Sequence, residues 1–373
     1  MKMTIPLLFT LLLCNFATPA PEAPPPKEFI PPAHAHNIIL MIGDGMGISQ
    51  ISAGMYANHF KTNLEKFPVA GLQKALPAKG LITDSAAAAT AFACGVETYN
   101  GAIGVDKDTL PVENILEEAE KRGLATGIIT TSSLTNPVLA AFIAHAKNPG
   151  LTEAIAAGFL NVDADLFIGG GEKAFSRRST DNRNLKKELK EKGYLVSDYQ
   201  KQPLSDITPY PQKNFAYFTA EEEPPSASEG RDYLPNASNM ATFFLDNHSA
   251  GKGFFLMIDG GQINEGGREN DSGYIISEMA DFDKAIGEAL KFAERDGNTL
   301  VIVTGTHETG GYAINPGSRI DSLIPAFTTN LPTAALIPVF AYGPGAELFR
   351  GFYDNSEIYT KMRQAFGWGE QKD

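Results

Sequence analysis

Five runs of apolar residues constrain this chain most, because each is too continuous for an element with one wet face. They are "NIILMIG" at 37–43, "LATGIIT" at 124–130, "FFLMI" at 254–258, "TLVIVTG" at 299–305 and "LIPVFAYG" at 336–343. A strand buried on both faces reads this way, whereas a half-exposed strand alternates. Amphipathic segments separate the runs. Ile275, Met279, Phe282, Ile286 and Leu290 recur at three- and four-residue steps, which predicts a helix from about 272 to 296. Asp296-Gly297-Asn298 stops it. "VENILEEAEKR" predicts a second helix before the second run. The alternation predicts an α/β fold with a largely parallel central sheet. Ligands of such folds bind beyond the carboxyl ends of strands, so the residues after each run are where a site is expected.

A length of 373 residues allows one large domain or two ordinary ones. The net charge of -13 opposes nucleic acid as a main partner but not a small anion held by local groups. Lys2 followed by "IPLLFTLLLCNFA" reads as an export signal over 1–20, too short to span a bilayer. Residues 21–36 read as a proline-rich tether. The expected location is therefore periplasmic or extracellular, with no transmembrane span. Cys14 offers a lipid anchor as an alternative, although Leu13 before it is larger than such sites favour. Removal or lipidation of Cys14 leaves Cys94 single, so no disulfide is expected. Residues 37–373 read as one domain, with a polar peripheral insertion at about 171–236.

Three elements carry the groups of a site. Asp44 follows the first run in "GDGMG", His307 follows the fourth in "THETGG", and Ser85 opens "SAAAATA" behind Asp84. Singly, each has a plain explanation: a turn aspartate, a buried histidine, a helix cap. Together they put a carboxylate, an imidazole and a hydroxyl at one sheet edge. A helix N-terminus also favours a phosphate or a developing oxyanion.

"NIILMIGDGMGISQI", "TDSAAAATAFACGVETYNGAIGVD", "GGGEKAF", "DGNTLVIVTGTHETGG" and "LIPVFAYGPG" resemble the alkaline phosphatase family, in order, from about Asn37 to Gly345. The resemblance implies a three-layer sandwich of helices around a mostly parallel sheet. It also implies two zinc ions, one magnesium ion and hydrolysis of phosphate monoesters. It makes Ser85 the nucleophile and Asp44 a metal-bridging carboxylate. A serine needs such help, since its hydroxyl is a weak nucleophile at neutral pH.

The chain departs from the family at the groups that would hold the metals. By the resemblance, Asn264 stands for an aspartate, and Arg268 and Pro332 for histidines, of the first zinc. Thr306 stands for an aspartate of the second zinc, beside the retained His307. On the magnesium side Asp259 replaces a glutamate, and Asn136 and Val138 stand for a polar residue and a hydroxyl. The arginine clamp falls near Pro149; Lys147 or Arg268 would then hold a phosphate, without paired geometry for the lysine. Glu265 is a possible replacement ligand or a partner for Arg268. An arginine ~5 Å from a zinc ion, at an effective dielectric of ~20, costs on the order of 6 kcal/mol, about four decades of occupancy. The expectation is a family member with impaired or absent activity and at most one weak metal site, at Asp44, His307 or Asp259. The alternatives are an active metal-dependent phosphomonoester hydrolase using Ser85, and a secreted binding or scaffold module.

Overall fold

Strand β1 (Asn37–Gly43) sends alternate side chains into two cores. Ile38, Leu40 and Ile42 pack with Ala88, Ala89 and Phe92 of the helix Ser85–Cys94. Ile39 and Met41 pack with Ile275, Met279, Phe282 and Ile286 of the helix Ser272–Asp296. Both faces are covered, which is why the run is apolar without alternation. The computed structural model describes residues 33–320 and 322–369, all within one compact unit. The export signal, Cys14 and most of the tether lie outside the described residues.

The further strands of the central sheet are β2 (Val69–Lys74), β3 (Ala125–Ser133), β4 (Leu166–Gly170), β5 (Leu195–Asp198) and β6 (Phe215–Phe218). They continue with β7 (Phe254–Gly260), β8 (Thr299–Gly305), β9 (Ile337–Tyr342) and β10 (Gly351–Asp354). The order is β10-β2-β9-β8-β1-β7-β3-β4-β6-β5. Every pairing is parallel except those of β9, which runs antiparallel to both β8 and β2. Helices cover both faces, so the expected three-layer α/β sandwich is the observed fold.

The helix Ser272–Asp296 has the predicted ends and closes on Gly297, at φ 72. The segment 171–236, expected to be a polar insertion, is not merely polar. It supplies β5 and β6, the last two strands. "FAYF" is buried throughout but only four residues long, too short for periodicity to separate it from a loop.

A cluster on the helix Ile115–Lys121 makes stability depend on pH. Burial pushes Glu120 up to about 7, the Thr126 hydroxyl pulls it down, and Asp165 and Asp163 push it further up. A carboxyl with a raised folded-state pKa binds its proton more tightly folded than unfolded. Its contribution is present at about pH 4–5 and is lost as pH rises through about 7. Glu120→Gln should therefore gain about 1 kcal/mol over the parent at pH 8 and nothing at pH 4.5. Urea midpoints at the two pH values check this.

Candidate active site

Four strands bring the site together at their carboxyl ends. The register Gly43↔Gly260 and Gly43↔Gly305 sets Asp44, Asp259 and Thr306–His307 around the end of β1. Ser85 is the first residue of its helix, and Asp84 is the N-cap, accepting the Ala87 amide at 2.9 Å. The helix forms because alanine favours it, and all nine residues after Ser85 are buried. Gly45 lets the turn after β1 come in close. At φ +73, a Cβ there would lie 2.8 Å from both Asn264 Cα and Thr309 Oγ1.

Ser85, Asp44 and His307 do meet. The Ser85 hydroxyl lies 2.8 and 2.9 Å from the two Asp44 oxygens and 3.1 Å from His307 Nε2. The serine proton goes to the Asp44 carboxylate, and the direction of the His307 contact follows the ring's tautomer. Thr306 donates to Asp44 Oδ1 at 2.5 Å and accepts the Gly45 amide at 3.0 Å. Burial pushes Asp44 up to about 6, against the pull of the Thr306 and Ser85 hydroxyls. Burial pushes His307 down to about 4, so at neutral pH its 3.8 Å approach to Asp44 is a contact with a neutral ring.

Asp259 is fully buried. Thr130 donates to its Oδ2 at 2.7 Å, while Oδ1 has no partner. Burial first, and the Asp44 charge second, raise its pKa well above the usual carboxylate range. An orphaned carboxylate oxygen beside a second carboxylate fits one cation.

The positions that the resemblance gives to the first zinc do not fit that ion. Asn264 offers an amide oxygen, and that oxygen accepts the Thr309 hydroxyl at 2.7 Å. Pro332 lies in a two-residue strand paired with Thr309 and has no donor atom to give. Arg268 is half-exposed, 3.9 Å from Glu265. Its charge pulls down both Asp44 and His307, which puts a fixed cation in the electrostatic neighbourhood of the site. Glu265 thus faces Arg268, the second of the two roles weighed for it. Asn136 accepts the Val138 amide at 3.0 Å as the cap of the short helix Pro137–Ala140, so its oxygen is occupied and Val138 is buried core. Lys147 is exposed; its carbonyl accepts the Tyr99 hydroxyl at 3.0 Å.

Sequence reading missed several contributors. Thr309 touches both Asn264 and His307, the latter at 3.1 Å from Nδ1. Thr130 holds Asp259, and Glu223 accepts the Ser133 amide at 2.8 Å. A usable signal existed for one of them: "TTSS" crowds four hydroxyls at the end of β3.

A family model described as alkaline phosphatase matches residues 35–331. Alkaline phosphatase 3 of Bacillus subtilis (strain 168) is 34% identical over 415 residues, covering 88% of this chain and 88% of its own. The alkaline phosphatase of Escherichia coli (strain K12) is 30% identical, covering 89% of this chain and 86% of its own. Among solved structures, the alkaline phosphatase of the Antarctic bacterium TAB5 superposes with a TM-score of 0.84 at 41% identity. It covers 91% of this chain and 99% of its own. A variant of that protein has been solved with magnesium bound.

Proposed function

The chain belongs to the alkaline phosphatase family, and from there we propose that it binds phosphate groups without the zinc-assisted hydrolysis of its relatives. The support is one observation: Asn264, Arg268 and Pro332 supply a neutral amide oxygen that already accepts the Thr309 hydroxyl, a guanidinium and a ring with no ligand atom. A dication held in a partly dry cleft needs carboxylates to offset its lost hydration. Here two carboxylate positions are neutral and a third position is positive. Arg268 takes over part of the zinc's electrostatic task, drawing an anion toward the N-terminus of the helix Ser85–Cys94. Asp44, His307 and the orphaned Asp259 oxygen would hold at most one weakly bound cation. The leader-like N-terminus makes this an exported protein; among the described residues no helix is long and apolar enough to cross a membrane.

Inorganic phosphate titrated calorimetrically should bind the parent. Arg268→Ala should weaken binding about tenfold or more, the worth of one charge-assisted hydrogen bond. Unchanged affinity would refute the role of Arg268. In parallel, aryl phosphate turnover across a zinc series should not exceed that of Ser85→Ala. Because the Ser85 hydroxyl still lies within 3.1 Å of both Asp44 and His307, the rival outcome is definite. Zinc-dependent turnover that Ser85→Ala abolishes would make the chain an active phosphomonoester hydrolase.

A further inference from the structure

We propose that the phosphate group this chain binds is carried on a sugar, and that a cavity at the carboxyl ends of β3 and β4 holds the sugar ring. This rests on the phosphate reading and names the class of its ligand. The cavity measures about 380 Å³, within the range of small-molecule sites. Its place follows from strand order. β3 lies two steps from β1, and β4 three. At ~4.8 Å per step, Ser133 at the end of β3 stands ~10 Å from the end of β1, where Asp44 meets Ser85. A hexose bonded to a phosphate at the Ser85 helix end spans that gap.

Two lines of contact join the cavity to the strand ends of the site. Asn100 Oδ1 accepts the Asp84 amide at 3.1 Å, and its Nδ2 donates to the Ile82 carbonyl at 3.0 Å, so its loop is pinned in front of Ser85. The next residue, Gly101, packs on Pro149: a Cβ there would lie 3.5 Å from the proline Cδ. Thr152, three residues past Pro149, lines the cavity. On the other side Gln262, three residues past Asp259, donates to the Pro224 carbonyl at 3.0 Å and sets the segment before it beside the end of β7. In that segment Glu223 accepts the Ser133 amide at 2.8 Å and lines the cavity.

The lining selects a polyol. Among the described residues it holds no aromatic and no branched aliphatic side chain; Gly171 and Ala174 are its apolar members. Such walls give an aryl or alkyl group little apolar area to bury against. Ser133 Oγ and Thr135 Oγ1 lie 3.0 Å apart, so one of their two protons serves that contact and the other is left for a ligand oxygen. Gly171, at φ +82, keeps this pair open, since a Cβ there would collide with Ser133 Oγ. Lys173 is paired with Glu222 at 2.6 Å and Arg177 with Glu221, so neither cation is free to grip a second phosphate. Four glutamates against those two cations make the cavity acidic. A hydroxylated ring finds donors and acceptors there, while a second phosphate is repelled.

The test is calorimetry on the full chain with inorganic phosphate, glucose 6-phosphate and phenyl phosphate. Glucose 6-phosphate should bind about tenfold more tightly than inorganic phosphate, the worth of one or two added hydrogen bonds. Phenyl phosphate should gain no more than about twofold. Thr135→Val should lower the ratio of glucose 6-phosphate to phosphate affinity roughly fivefold or more, and Thr135→Ser should keep it. The ratio is read within one sample, so a loss of folded protein does not mimic the result, and the parent comparison needs no variant. Phosphate binding with no gain from the sugar would overturn the sugar site and leave the phosphate reading standing. A phenyl phosphate gain as large as that of glucose 6-phosphate, or an unchanged ratio in Thr135→Val, would overturn the sugar site too. Glucose 6-phosphate bound where inorganic phosphate is not would support the cavity. Binding of none of the three would overturn both readings.

Discussion

Introducing together the four residues that the resemblance gives to these positions, N264D, R268H, T306D and P332H, is expected to raise zinc-dependent aryl phosphate turnover by roughly three decades or more over the parent. The changes put two carboxylates and two imidazoles at positions that carry an amide, a hydroxyl, a guanidinium and a ring with no ligand atom. They also remove a fixed positive charge whose repulsion of zinc alone is worth on the order of 6 kcal/mol at ~5 Å. The scaffold tolerates each change locally. An aspartate at 264 still accepts the Thr309 hydroxyl now held at 2.7 Å, and one at 306 still accepts the Gly45 amide now at 3.0 Å. A carboxylate at 306 faces Asp44, so the variant without metal should melt below the parent and recover on adding zinc. Elemental analysis should find about two zinc ions per variant chain. Equal zinc-dependent turnover by the parent would defeat the reading.

The second large effect concerns stability. Arg231 is buried between Glu278 and Asp281, donating to Asp281 Oδ2 at 2.6 Å and also to Glu278. Glu278 in turn accepts the Ala227 amide at 2.7 Å, so the group ties the helix Ser272–Asp296 to the segment before β7. Arg231→Ala should cost about 3–5 kcal/mol at pH 8, because it leaves two carboxylates buried without a counter-charge. Burial already raises both carboxyl pKa values against the pull of Arg231. Without the guanidinium they rise further and take up protons as pH falls, so the loss should shrink toward pH 5. Urea denaturation at the two pH values measures both parts. A loss independent of pH would point to packing rather than charge.

Central strands are the easiest part of this fold to read from sequence, and margins the hardest. β1 and β8 coincide residue for residue with their apolar runs, since a strand covered on both faces must be apolar throughout. β5, β6 and β10 are four residues each and offer too few positions for a pattern. The reversed direction of β9 is invisible in "LIPVFAYG", because an apolar run has no polarity along its length. In the site, Asp44, Ser85 and His307 were found because strand ends are where such folds gather ligands. Thr309 and Thr130 were not, since their bonds to Asn264 and Asp259 join residues 45 and 129 positions apart. Only folding brings those partners together.

Both cores stop at the last apolar residues of the central strands, and the reactive groups begin immediately beyond them, Ile42 being wholly enclosed and Asp44 two positions later. Exchanging those outer groups therefore leaves the apolar packing of both cores in place, and the cost of an exchange is set by the charges that meet at the strand ends.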